Sequence, residues 1–204
     1  MTTEQNNGRY PLYGLVLAGG KSVRMGQDKG AIKWHGIEQR YHLHNMLSHI
    51  CDKVFISCRS AQKDDVLDTY PVIFDTRTDS GPIVALLSAF EHRSDVAWLV
   101  VACDLPLLDI AALKQLIENR NFSGIATTYQ SPYDGLPEPL VTIWEPDSYQ
   151  ILMNYVELGL RCPRKVLINN MDKVVVVQST DPQLLLNANT PEDALKVRNI
   201  LLFQ

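Results

Sequence analysis

Val96-Ala-Trp-Leu-Val-Val-Ala-Cys103, with Asp104-Leu-Pro106 directly behind it, is the stretch that decides the fold of this chain. The run holds no polar side chain, which is the pattern of a central parallel strand covered on both faces. Further strand-length apolar runs flank it at Leu12–Leu17, Val54–Ser57, Val72–Phe74, Gly124–Thr128, Pro139–Trp144 and Lys173–Gln178. Helical stripes lie between them. Ile83, Leu86, Leu87 and Phe90 form one, with Ser80 or Gly81 as cap and Pro82 in its first turn. Ile110, Leu113, Leu116 and Ile117 form another behind Asp109, and a last helix opens at Thr190-Pro-Glu-Asp193. Strands and helices in alternation predict an α/β chain in three layers (α/β/α), with a mostly parallel central sheet.

The remaining composition narrows the partners. A length of 204 residues with 46% hydrophobic side chains predicts one domain over 1–204 and excludes intrinsic disorder. Nineteen basic against 23 acidic residues give a formal charge of −4 without any Lys/Arg block, so a sequence-independent grip on nucleic acid is not expected. Met1–Arg9 is polar, and no apolar run approaches the ~18 residues of a membrane span, so a cytoplasmic protein is expected. Cys51, Cys58, Cys103 and Cys162 form no CxxC pair and read as reduced, mostly structural thiols. His42, His44 and His49 fall on one predicted helix at spacings that do not share a face, which argues against a common metal. His35 and His92 stand isolated, Asp64-Asp65 is expected to open a solvated helix, and Gln130–Glu138 is the most irregular stretch.

In open α/β sheets ligands gather beyond the carboxyl ends of the strands, so three strand-to-helix junctions carry the functional reading. The first is Ala18-Gly-Gly-Lys-Ser-Val-Arg-Met-Gly-Gln-Asp-Lys29. Gly19, Gly20 and Gly26 allow the backbone close to an anion, and Lys21, Arg24 and Lys29 cluster three cations beside it. A Walker loop fails, because the position five before Gly20 is Leu15, and the dinucleotide fingerprint fails because Gly19 and Gly20 are adjacent. At the second junction Val72-Ile-Phe ends in Asp75, either a ligand contact or an ordinary loop acid. The third is Cys103-Asp104-Leu-Pro106. There Asp104 is a carboxylate fit for Mg²⁺ rather than a helix cap, since Asp109 already serves as cap, and Cys103 is a core residue.

The stretch Leu17-Ala-Gly-Gly-Lys-Ser-Val-Arg-Met-Gly-Gln-Asp-Lys29 resembles the LAGGxSxRMGxDK signature of the molybdenum cofactor guanylyltransferases, MobA-like members of the Rossmann-like nucleotidyltransferases. Further resemblances are Gly81-Pro-Ile-Val-Ala85, Cys103-Asp-Leu-Pro106, Gly135-Leu-Pro-Glu-Pro-Leu140, Gly159-Leu-Arg161 and Asn187-Ala-Asn-Thr-Pro-Glu-Asp193. They run from about Tyr13 to Val197. Ala85 replaces a family glycine, Arg59 stands where relatives often carry Asn, and Gly30-Ala31 replaces bulky apolar residues.

The resemblance implies transfer of GMP from GTP to the terminal phosphate of molybdopterin, with a nucleotide-binding half over about 11–108 and an acceptor-binding half over about 109–204. It implies Leu17, Ala18, Gly19, Gly20, Lys29, Asp75 and Asp104 around the nucleotide, with Mg²⁺ on Asp104 and catalysis by Arg24, Lys29 and Asp104. Glu138 and Pro139 are either acceptor contacts or an edge turn, and Arg161 and Arg164 either grip the acceptor or solvate a helix start. Asn187 and Asn189 position substrate or only precede a capped helix. The implied partners are GTP, molybdopterin and other molybdenum-cofactor assembly proteins. A cytidylyltransferase, a sugar-phosphate nucleotidyltransferase and a non-catalytic nucleotide-binding adaptor are the rival readings.

Overall fold

A computed structural model describes residues 10–20, 25–77 and 81–203. Its strands are β1 (Leu12–Leu17), β2 (Lys53–Cys58), β3 (Val72–Phe74), β4 (Ala97–Ala102), β5 (Ala126–Gln130), β6 (Pro137–Trp144) and β7 (Val174–Val177). Its helices are α1 (Gln39–Leu47), α2 (Pro82–His92), α3 (Ile110–Glu118), α4 (Ser148–Glu157), α5 (Pro163–Ile168) and α6 (Pro191–Leu202). The strands form one sheet in the order β3-β2-β1-β4-β6-β5-β7. Pairings β3–β2, β2–β1, β1–β4 and β5–β7 are parallel, whereas β6 runs antiparallel to both β4 and β5. The expected mostly parallel sheet is present, with β6 as its reversed strand.

The reason lies in the patterning. Every residue of β4 is buried. Ala97, Leu99 and Val101 pack on one face with Leu43, Leu47 and Leu113, while Trp98 and Val100 pack on the other with Ile83, Leu87 and Phe90. A strand with two apolar faces needs helices on both sides, and the crossovers that parallel strands require supply them. Asp109 caps α3 by accepting from the Ala112 N–H at 2.7 Å. Thr190 and Asp193 form a reciprocal capping box at the start of α6.

Several expectations need correction. Asp64-Asp65 closes a 3₁₀ turn (Ser60–Asp65) rather than opening a helix. His49 lies past the end of α1. His35 is not isolated, because its ring stacks on His42 with centroids 4.0 Å apart. Gln130–Glu138 is irregular over residues 131–136, as expected, but these form the turn of a hairpin: β5 ends at Gln130 and β6 starts at Pro137, so Glu138 belongs to a strand. A register shift at Thr128/Tyr129 keeps the two strands paired. Helix α4 had no expectation attached to it. Lys21, Arg24 and Ser80 lie outside the described residues.

Candidate active site

All parallel strands end at the same edge of the sheet, and the three junctions meet there around a cavity of about 390 Å³. Leu17, Ala18, Gly19 and Gly20 follow β1, Asp75 follows β3, and Cys103 and Asp104 follow β4; all line it. Gly81, Pro82 and Ala85 from the start of α2 close one side, and Lys29 and Leu140 another. Two glycines earn their place through backbone conformation: Gly26 at φ 68° and Gly81 at φ 127° occupy regions that side chains avoid.

Lys29 is aimed by its neighbours. Asp28 caps the short turn Lys29–Ala31, its Oδ1 accepting from the Gly30 N–H at 2.9 Å. Asp28 Oδ2 accepts from Arg40 at 2.9 Å, and Arg40, only 2% exposed, also lies 3.0 Å from Glu38. The Lys29 Nζ then reaches Asp104 Oδ2 at 3.4 Å and donates to Asn189 Oδ1. Lys29 and Asn189, 160 residues apart in sequence, are therefore neighbours at the site.

Asp104 is held from three directions. Its carbonyl accepts from the Ala188 N–H at 2.8 Å. The Leu105 and Pro106 carbonyls behind it contact Gln39 at 3.4 Å and His35 at 2.8 Å. Its Oδ1 is buried with no hydrogen-bond partner among the described residues. A buried carboxylate oxygen left without a donor carries an unrecovered desolvation cost, and a divalent cation would recover it. The donor set fits a hard metal held by one carboxylate and completed by phosphate oxygens and water.

On the opposite wall burial pushes the Asp75 carboxyl above its usual range, against the opposing effects of its Ser57 hydrogen bond and the Arg59 charge. The Ser57 hydroxyl donates to Asp75 at 3.4 Å. Burial likewise drives the Cys103 thiol far above its ordinary range, so Cys103 is a core residue and not a nucleophile. Part of the expected backbone cradle is already engaged. Ala18 N–H donates to the Ser57 carbonyl at 2.9 Å, and the Leu17 carbonyl accepts from Cys103 at 3.4 Å. Gly19 and Gly20 retain N–H groups unpaired with any described residue.

The residue model of the MobA-like NTP transferase domain matches residues 14–180. The chain belongs to this family. This MobA-like nucleotidyltransferase is 34% identical over 184 residues to a molybdenum cofactor biosynthesis bifunctional protein of Synechocystis sp., a match covering 90% of this chain and 52% of that protein, about half its length. It is 30% identical to a molybdenum cofactor guanylyltransferase of Pseudomonas fluorescens, with 87% of this chain and 89% of that one covered. Its fold is that of molybdopterin-guanine dinucleotide biosynthesis protein A from Archaeoglobus fulgidus, at TM-score 0.78 and 21% identity over 94% of this chain and 100% of that chain.

The acceptor candidates of this nucleotidyltransferase fall into two groups. Asn189 joins Lys29 directly, while Glu138, Pro139, Arg161, Arg164 and Asn187 do not line the cavity. Glu138 lies within β6, 6% exposed, and pairs with Arg164 at 3.0 Å. Arg164 also holds Asp134 at 2.7 Å, so its charge is already shared between two carboxylates. Burial raises the Glu138 carboxyl, and the charges of Asp104 and Asp134 add to that, while Arg164 and the Leu140 N–H oppose it. Sequence reasoning missed Arg40, Gln62 and Asp28 as supports. A buried arginine gives no local signal, because only the fold shows which carboxylates surround it.

Proposed function

We propose that this chain passes GMP from GTP to the terminal phosphate of molybdopterin, giving the guanine dinucleotide cofactor and pyrophosphate. The observation that carries the reading is the convergence of the glycine-rich turn, Lys29 and Asp104 on one cavity. An acceptor phosphate oxygen attacks the α-phosphorus of GTP, and the bond from that phosphorus to the β-phosphate oxygen breaks, releasing pyrophosphate. A phosphomonoester is mostly dianionic at neutral pH, with a second pKa near ~6, so no general base is required. The work of the protein is positioning and charge neutralisation.

Gly19 and Gly20 offer N–H groups to phosphate, and Lys29 neutralises charge at the α-phosphoryl group. Arg24 takes the pyrophosphate side, a role resting on its position in the motif. Asp104 is the residue that would hold Mg²⁺, whose contribution is to polarise phosphate oxygens. Asn189 fixes Lys29. Glu138, Pro139, Arg161, Arg164 and Asn187 border the acceptor side, in an acceptor-binding half over about 109–204 that follows a nucleotide-binding half over about 11–108. The chain acts in the cytoplasm, beside other proteins of molybdenum-cofactor assembly. Among the described residues no helix is long and apolar enough to cross a membrane.

The test is pyrophosphate release from GTP or CTP with molybdopterin and Mg²⁺. Release with GTP but not CTP is expected. Equal release with CTP would overturn the guanylyl assignment, and none with either would overturn transfer itself.

A further inference from the structure

The order β3-β2-β1-β4 works as a ruler along the ligand edge of the sheet. Neighbouring strands are about 4.8 Å apart, so the ends of β2 and β3 stand about 10 and 14 Å from the end of β4. Asp104 and Lys29 mark the β4 end, where phosphates belong. Asp75 follows β3 and Arg59 follows β2, and both line the same cavity. An outstretched nucleotide with its phosphates near Asp104 lays the far edge of its base beside Arg59.

Arg59 is prepared for that contact. Its Nε donates to Gln62 Oε1 at 3.0 Å, and its backbone N–H reaches the same oxygen at 3.4 Å. Gln62 is itself 8% exposed and donates to the Ala18 carbonyl at 3.5 Å. The guanidinium is thus fixed through Nε, while Nη1 and Nη2 have no hydrogen-bond partner among the described residues. One backbone donor lining the same cavity, the Ala18 N–H, is already taken by the Ser57 carbonyl. Two parallel N–H donors match the O6 and N7 acceptors of guanine; adenine offers an amino donor beside N7, and pyrimidines have no N7.

We propose that Arg59, clamped by Gln62, reads the O6/N7 edge of guanine and sets the base preference of the cavity. The proposal rests on the cavity taking a nucleoside triphosphate, and the experiment separates the two. Calorimetry with the whole chain and Mg²⁺ compares GTP, 7-deaza-GTP and ATP on the wild type, Arg59→Met and Arg59→Lys. The wild type binds GTP about tenfold tighter than 7-deaza-GTP, which lacks one acceptor. Arg59→Met loses about tenfold to a hundredfold for GTP and no longer distinguishes it from 7-deaza-GTP. Arg59→Lys, which keeps the charge without the fork, fails to restore the distinction. Equal weakening of all three ligands by Arg59→Met would assign Arg59 to sugar or phosphate, and unchanged GTP binding would assign it no contact. Either result overturns the proposal while the nucleotide site stands. A wild type that binds none of the three overturns the site and the base reader together.

Discussion

Strand β6 carries a buried glutamate near each edge of the sheet, and the two have opposite fates. At the far edge Glu145, just past the strand and 1% exposed, meets Arg120 through two contacts of 2.6 and 2.9 Å, and Arg120 also caps the Tyr10 carbonyl at 3.1 Å. At the ligand edge Glu138 shares Arg164 with an exposed Asp134 and feels the charge of Asp104. The far-edge pair is closed and fully partnered. The ligand edge is left incomplete, with an orphaned Asp104 oxygen and a carboxyl pushed upward. Where a fold only has to hold together, its buried charges are satisfied internally; where it has to bind, they wait for a ligand.

The contrast is easiest to break at Arg120. Arg120→Ala leaves Glu145 buried and unpaired, with an expected loss of about 3–5 kcal/mol in urea denaturation, yet nucleotide affinity of the folded fraction stays unchanged. Loss of nucleotide binding in parallel with stability would erase the distinction between the edges. At the ligand edge the expected pattern reverses. Lys29→Ala lowers pyrophosphate release by about 100- to 1,000-fold. Asp104→Asn lowers it comparably and changes the melting temperature little, because the charge removed has Lys29 beside one oxygen and no donor among the described residues at the other, so the lost pairing and the relieved desolvation oppose each other.

A smaller effect sharpens the role of the Glu138 side. Arg164→Ala raises the acceptor KM roughly tenfold in steady-state assays, without changing GTP affinity. The smallest effect belongs to His42, which burial, with His35 stacked beside it, pushes down to about 4 from 6.5. The folded state favours the neutral ring, so the unfolded chain takes up more protons as pH falls from 6.5 to about 4, and stability declines across that window. Urea midpoints at pH 7 and pH 4.5 should therefore lie closer together in His42→Gln than in the wild type.

Much of the nucleotide side was legible in advance, because its signals are local. A glycine-rich turn after a strand, a lysine at its end and an aspartate after an apolar run each sit within a few residues of the strand that aims them. Leu17–Gly20, Lys29, Asp75 and Asp104 line one cavity as a result. The acceptor side was less legible. The irregular composition of 130–138 pointed to the turn over 131–136 but not to the hairpin that buries Glu138, and α4 went unassigned although its apolar stripe is no weaker than that of α2. Arg164 could be read from sequence either as an acceptor grip or as a solvated helix start, and only the fold shows it paired with Asp134 and Glu138.

By itself the chain's order of residues determined the alternation of strands and helices, the polarity of each, and therefore that three junctions open on one edge, since parallel strands with right-handed crossovers can end nowhere else. Tertiary structure alone decided that β6 is reversed, that Asn189 meets Lys29, and that Arg59 rather than the Ala18 amide is left with donors to offer. The physical reason is range. Periodicity and turn chemistry act over a few bonds, whereas the pairing of buried charges and donors depends on which distant segments the packed core brings within 3 Å of one another.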